Sequence, residues 1–287
     1  MSTASFCFVG FVVGKTGQKT DANPLVARRD FKIAYLLCLI TVIGLALVYI
    51  FQSFYPDFMY TFSNVVSPFI AGVAVLSSFF ALRRYWDNIG SRLSRIWLCF
   101  ALGMFLWFLG ELGWAIYTMV LNVEIPYPSI ADIFWLSGYV PLFIALLLYI
   151  QIIKPAISKM MLFTADAIVA GVGVIIFPVL VIPVIAYASE QDLVTLSIDL
   201  AYPGLDLVLF LEAILGLLVF TISRLKSRVG VAWHFINIAI IFNVVADITF
   251  SYFTLEGTYY NGHPQELLFH VGYLLFALAF YVHSKEL

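Results

Sequence analysis

Charge is scarce in this sequence. Asp, Glu, Lys and Arg make up 11% of its 287 residues, against 63% hydrophobic residues and a mean hydropathy of +1.00, whereas an ordinary soluble domain carries about 25% charged residues. That shortage excludes an ordinary water-facing surface. Cysteine is equally sparse: Cys7, Cys38 and Cys99 form no CxxC pair, so neither a disulfide framework nor a thiolate metal site is supported, and small buried apolar residues are the reading that remains. Long polar connections are missing too. The longest, roughly 52–62, 83–96 and 188–199, hold about a dozen residues each, and about three residues follow the last apolar run, which leaves no room for a soluble domain. HExxH, GxSxG, a phosphate-binding glycine loop and a DxxxD pair are all absent, and nucleophilic or prenyl-transfer chemistry goes with them. The last apolar run contains no lysine, which removes a retinal Schiff base. Basic residues are spread over five short segments rather than gathered into one face, so nucleic acid is not a partner on this pattern.

What the chain does have is apolar runs of membrane-spanning length. Eight of them divide it, at roughly 33–51, 63–82, 97–121, 131–152, 161–187, 200–221, 228–253 and 265–284. All 15 Lys and Arg residues fall in alternate connections: Lys15, Lys19, Arg28, Arg29 and Lys32 before the first run, Arg83, Arg84, Arg92 and Arg95 after the second, Lys154 and Lys159 after the fourth, Arg224, Lys226 and Arg228 after the sixth, and Lys285 at the end. By the positive-inside rule this is an all-α bundle of eight transmembrane helices in the cell membrane, with both termini cytoplasmic. The other connections hold Asp57, Glu124, Glu190, Asp192, Asp199 and Glu256, so the outer face is acidic. Residues 1–32 read as a mobile cytoplasmic tail and 33–287 as one transmembrane domain. The run at 5–13 is too short to span, and its basic residues follow it, an order that argues against a cleaved signal peptide.

A faint internal repeat organises the runs. Gly110-Glu111 with Trp114 in the third corresponds to Ala246-Asp247 with Phe250 in the seventh. Each is followed by a proline-containing loop and a helix of the form acid, five residues, Gly-Tyr: Asp132 with Gly138-Tyr139 in the fourth run, Glu266 with Gly272-Tyr273 in the eighth. A shift of four spans preserves orientation, which predicts a parallel duplication about an axis along the membrane normal. Proline followed by acid also marks the outer starts of the fourth, sixth and eighth runs, at Pro128 and Asp132, Pro203 and Asp206, and Pro264 and Glu266, which is the pattern of a helix N-terminus. Ser129 and Asp132 have capping-box spacing. Thr164 and Asp166 read the same way at the start of the fifth run.

Glu111, Glu212 and Asp247 lie deeper. At about 1.5 Å per residue, Glu111 sits about 15 Å and Asp247 about 9 Å below the outer helix ends, with Glu212 near mid-membrane. No Lys or Arg lies at these depths, so each must be protonated, hydrated, hydrogen-bonded or bound to a cation. Two readings stand: a buried polar site in the outer half, or neutral acids bonded to neighbouring helices. Helical spacing places Trp107, Glu111 and Trp114 on one face, Asn243, Asp247 and Ser251 on another, and Glu266, His270 and Tyr273 on a third. Asp206, and Asp132 with Trp135 and Tyr139, would close the ring into an aromatic pocket with a few polar groups. Ligand-binding candidates are therefore Glu111, Trp114, Asp132, Tyr139, Asp206, Asn243, Asp247, His270 and Tyr273. A carboxylate and His270 metal site is an open alternative; no cofactor is implied. Pro178 and Pro183 predict a kink in the fifth run, read equally as hinge or static bend.

The segments Pro126-Tyr127-Pro128-Ser129 with Asp132 and Gly138-Tyr139, Ala201-Tyr202-Pro203 with Asp206, Gly110-Glu111 with Trp114, and Asp247 with Tyr252, Tyr260 and Gly262 together resemble the multi-helix membrane region that precedes PAS, histidine kinase or diguanylate cyclase domains in bacterial and archaeal signalling proteins. The resemblance spans roughly residues 33–284. It implies a membrane sensor, here expected to be free-standing because no output domain follows, so that a signal would pass through a separate partner. A secondary transporter or proton-coupled carrier is the second expectation. A carboxylate and histidine enzyme acting on a lipid-like substrate is the third.

Overall fold

A computed structural model describes residues 24–186, 188–189, 191–222 and 228–286. The expectations for the run at 5–13, for Cys7, Lys15, Lys19, Glu190, Arg224 and Lys226 lie outside the described residues. Among the described residues the chain is all-helical, and eight helices are long and apolar enough to cross a membrane. We number them α1 (Pro24–Ile50), α2 (Pro56–Arg83), α3 (Arg92–Leu121), α4 (Ile130–Ala156), α5 (Lys159–Ala186), α6 (Leu193–Ile222), α7 (Arg228–Leu255) and α8 (Glu266–Glu286). Short connections between long apolar helices make a multi-pass membrane bundle the architecture that satisfies their backbones.

Several starts differ from the sequence reading, each for a local reason. Helix α1 begins at Pro24, so residues 24–32, assigned to the tail, are helical. Helix α6 begins at Leu193 and not near 200, because Asp192 caps it: one carboxylate oxygen accepts from Val194 N at 2.8 Å and Thr195 N at 3.0 Å, the other from Thr195 Oγ1 at 2.7 Å. Those bonds, the Thr195 side chain's first, hold Asp192 below the usual carboxylate range. Pro203 and Asp206 are consequently inside a helix rather than in its first turn. Asp199, assigned to an outer connection, belongs to α6 as well. Ser158, and not Thr164, caps α5 by accepting from Met161 N at 3.2 Å. The capping box at Ser129 and Asp132 forms as expected. Phe177–Val181, the stretch containing Pro178, forms a π-turn inside α5, and a second π-turn closes α3 at Ile116–Leu121.

Six helices form a closed ring in the order α2, α3, α4, α6, α7, α8 and back to α2, while α1 packs on α8 and α5 on α6. Small residues set the tightest crossing. Trp107 of α3 lies where a side chain on Gly138 would stand, Trp135 of α4 lies against Gly110, and Leu142 against Gly103. Bulk on each helix meets a glycine on the other, as close-packed interiors require. The same device joins α7 to α8, where Asn243 fills the space beside Gly272. Pairs 107 with 138 and 113 with 131 make α3 and α4 antiparallel; 67 with 270 and 84 with 284 make α2 and α8 parallel; 132 with 202 and 139 with 206 make α4 and α6 parallel. These registers collect Arg83, Arg84, Arg92, Arg95, Lys154 and Lys285 at one end of the bundle. The connections holding Asp57, Glu124, Asp192 and Glu256 collect at the other.

At the basic end the interior is a dense aromatic layer. Trp97 stacks on His283 with ring centroids 3.9 Å apart, Tyr149 on Trp233 at 3.4 Å, and Trp97 and Trp233 approach to 5.5 Å, with Phe100 and Phe280 filling between them. The outer surfaces of α1 and α5, such as Leu36, Leu37, Ile40, Val174 and Ile175, are exposed and apolar, as lipid-facing surfaces are.

Candidate functional site

At the acidic end the ring is not filled by side chains. It encloses a cavity of about 470 Å³ lined from α2, α3, α4, α6, α7 and α8, from Leu180 and Val184 of α5, and from the connections next to them. Seven of the nine candidates from the sequence line it: Glu111, Trp114, Asp132, Tyr139, Asn243, Asp247 and Tyr273. All three residues of the α3 face and all three of the α7 face do so, with Trp107 and Ser251 beside the named candidates. Helical spacing was therefore a sound guide to these two faces.

Asp206 and His270 are not on the wall. Asp206 is 1% exposed and lies behind Tyr139, whose hydroxyl is 2.6 Å from Asp206 Oδ1 and 3.0 Å from Asp247 Oδ2. His270, fully buried, turns toward α2 and α1: its Nε2 is 2.8 Å from Ser67 Oγ, and its ring is 5.7 Å from that of Tyr49. Glu212 is buried outside the cavity, and one of its oxygens has no hydrogen-bond partner. The three deep acids of the sequence thus part company: Glu111 and Asp247 meet at the cavity, Glu212 does not.

The acids also differ in what holds them. Asp132 accepts from Tyr202 at 3.0 Å on one oxygen and from Ser129 N and Oγ at 2.7 and 2.9 Å on the other. Glu266 accepts from Tyr49 at 2.9 Å on one oxygen, and from Tyr259 at 2.9 Å and Gly262 N at 2.8 Å on the other. Gly262 reaches it with φ of +93°, a backbone conformation that glycine adopts without strain. Asp199 is shared between the Tyr127 hydroxyl and Gln191 Nε2. Burial, and next the hydrogen bond to Asp199, push the Tyr127 phenol above the usual tyrosine range. These three carboxylates are structural ties between helices and connections. Glu111 and Asp247 instead each give one oxygen to a tyrosine, Glu111 to Tyr273 at 3.0 Å and Asp247 to Tyr139.

The pairing is crossed. Tyr139 of α4 reaches the acid of α7, and Tyr273 of α8 reaches the acid of α3. Around them stand Trp114 and Trp135, ring centroids 5.9 Å apart, and Phe250, 6.2 Å from Trp114. Trp114 also donates to Asn261 at 3.1 Å, tying the α7–α8 connection over the site. No Lys, Arg or His is in the lining.

Sequence reasoning missed the contribution of α2. Ser63, Asn64 and Ser67 line the cavity, with Asn64 accepting from Thr118 at 2.9 Å. Three polar residues within two turns of an apolar helix were the available signal. Tyr127, Gln191, Asp199, Tyr259 and Asn261 were missed as well, because they come from connections or from the first turns of α6.

Among the described residues no group of three or more His, Cys, Asp and Glu is disposed to hold a metal ion. Cys38 and Cys99 are free and half-buried. Comparisons with family models, with curated proteins and with solved structures give no match.

Proposed function

We propose that the chain is a membrane sensor module: it binds a small molecule in the cavity at its acidic end and passes the change to a separate partner. The observation that carries this reading is the cavity itself, where carboxyls and aromatic rings from α3, α4, α7 and α8 converge in a volume suited to a small ligand. Positive-inside asymmetry supports a cytoplasmic basic end with both termini on that side, and with it a cavity that faces outward. On the cytoplasmic side, Arg83, Arg84, Arg92 and Arg95 flank the α2–α3 connection and form the docking surface for the partner.

An ancient duplication underlies the site. Shifting the numbering by four helices turns α2, α3 and α4 into α6, α7 and α8, and the ring order is unchanged by that exchange. The crossed pairs exchange too, Tyr139 with Asp247 against Tyr273 with Glu111. So do the caps: Ser129 Oγ accepts from Ala131 N and His263 Nδ1 from Gln265 N, both at 3.2 Å. Helices α1 and α5 depart from the symmetry, since one packs on α8 and the other on α6.

The aromatic layer at the basic end favours sensing over transport. A carrier needs a polar path through both halves, and here Trp97, Phe100, Trp233, Phe280 and Tyr149 stand between the cavity and the cytoplasmic face. The enzyme reading loses its acid–histidine pair, because His270 is not in the lining and its Nε2 is engaged by Ser67 rather than by an acid.

The test is gentle extraction of the tagged protein from its native membrane, with mass spectrometry of the proteins and small molecules that accompany it. A stoichiometric signalling protein, and a small molecule lost from the cavity-filling variant Ser251→Phe, are expected. A chain that carries no small molecule that Ser251→Phe displaces, and no partner, would contradict the reading.

A further inference from the structure

The five carboxyls of the lining are not equivalent as binding groups. Asp132, Asp199 and Glu266 have both oxygens occupied by donors from the protein. Glu111 and Asp247 have one oxygen each tied to a tyrosine, and both are half-buried despite their depth because they border the cavity. Asn243 is the third open group. It is 2% exposed, borders the cavity, and spends its amide N–H on Ala239 O at 2.8 Å, while its carbonyl oxygen accepts no hydrogen bond. The inner wall therefore groups two carboxyls and an amide carbonyl, and no Lys, Arg or His lies in the lining to balance the carboxyls. Above these acceptors the walls are the faces and edges of Trp114, Trp135 and Phe250.

We infer that the ligand of this cavity is a small organic cation, its ammonium group held by Glu111, Asp247 and the Asn243 carbonyl and its apolar body against Trp114, Trp135 and Phe250. This rests on the reading of the cavity as a ligand site. A protonated amine supplies N–H donors to these acceptors, and its charge is favoured both by carboxylates and by the faces of aromatic rings. An anion would be buried among acids with no cation near it, at a desolvation cost nothing here offsets. The same argument disfavours a zwitterionic lipid headgroup, whose phosphate would have to enter with its amine. A free amine has no such liability.

The experiment is calorimetric titration of the full chain, held in nanodiscs of phosphatidylglycerol, with three probes of one shape and different charge: tryptamine, tryptophol and indole-3-propionate. Tryptamine is expected to bind, with tryptophol and the carboxylate each about tenfold weaker or more, the scale of one charge-assisted hydrogen bond. Glu111→Gln and Asp247→Asn keep an acceptor for Tyr273 and Tyr139, so the fold survives. Each is expected to weaken tryptamine about tenfold while leaving tryptophol unchanged. Equal or tighter binding of tryptophol or indole-3-propionate would overturn the cationic class and leave the cavity standing as a ligand site. Loss of tryptophol in parallel with tryptamine in the variants would overturn the role given to the two acids. Absence of tryptamine binding up to roughly 10 mM, the weak end of specific recognition, would also overturn the inference. The site reading would then be judged separately, by whether Ser251→Phe displaces a co-extracted molecule. Tryptamine affinity that falls when phosphatidylethanolamine replaces phosphatidylglycerol would transfer the site to a lipid headgroup and overturn the free-amine assignment.

Discussion

Tyr139 has one hydroxyl proton and two carboxyl neighbours, Asp206 at 2.6 Å and Asp247 at 3.0 Å. It can donate to only one of them, so the second contact closes only when that carboxyl carries a proton of its own. Tyr273 has the simpler task of donating to Glu111 alone. Removing a hydroxyl from a buried pair strands its partner at a cost of about 1–3 kcal/mol. Tyr139→Phe strands two groups and Tyr273→Phe one. Thermal unfolding in one detergent should therefore show the larger drop for Tyr139→Phe; equal or reversed drops would mean that the Asp206 contact contributes nothing. These partnerships were not legible in the sequence. The acids and their helix faces were, because i, i+4 spacing is a property of one helix. Which tyrosine meets which acid depends on packing between helices, as does the withdrawal of His270 and Glu212 from the site.

Helix pairs repeat the same logic at larger scale. The α3–α4 crossing works because Trp107 meets Gly138 and Trp135 meets Gly110. A methyl on Gly138 would come within 2.4 Å of the Trp107 ring and 3.2 Å of the Gly103 carbonyl. Gly138→Ala is expected to destabilise by about 1–3 kcal/mol, the usual cost of overpacking. Adding Trp107→Leu should recover part of that loss, so that the double variant is more stable than the sum of the two single changes. Strict additivity in thermal melts would place the strain elsewhere. Helix existence was well signalled, since runs of this length and hydropathy have few alternatives. Helix ends were less so. Pro203 looked like a start and is an interior residue of α6, because Asp192 caps eleven residues earlier than Pro203 would. The polar face of α2 was overlooked because Ser63, Asn64 and Ser67 are short side chains that, unlike a buried acid, carry no large cost in an apolar helix.

At the scale of the whole molecule, the bundle has two unlike ends. One is plugged by stacked aromatic rings beneath a basic rim, and the other opens into an acidic, aromatic cavity. Glu111 and Asp247, on α3 and α7, both border that cavity, each bonded to a tyrosine of another helix of the ring. Movement of one half against the other would then register on the connections at the basic rim. All of this depends on the cavity being reachable from outside. The direct measurement is alkylation of intact cells by a membrane-impermeant maleimide. The substrate is a chain with Cys7, Cys38 and Cys99 replaced by Ala and Ser251→Cys introduced in the cavity; Ser78→Cys, buried in the other half of α2, serves as the control. Labelling of Ser251→Cys from outside, with Ser78→Cys protected, is the expected result. Labelling of Ser251→Cys only after the cytoplasmic face is opened, or not at all, would contradict an outward-facing site.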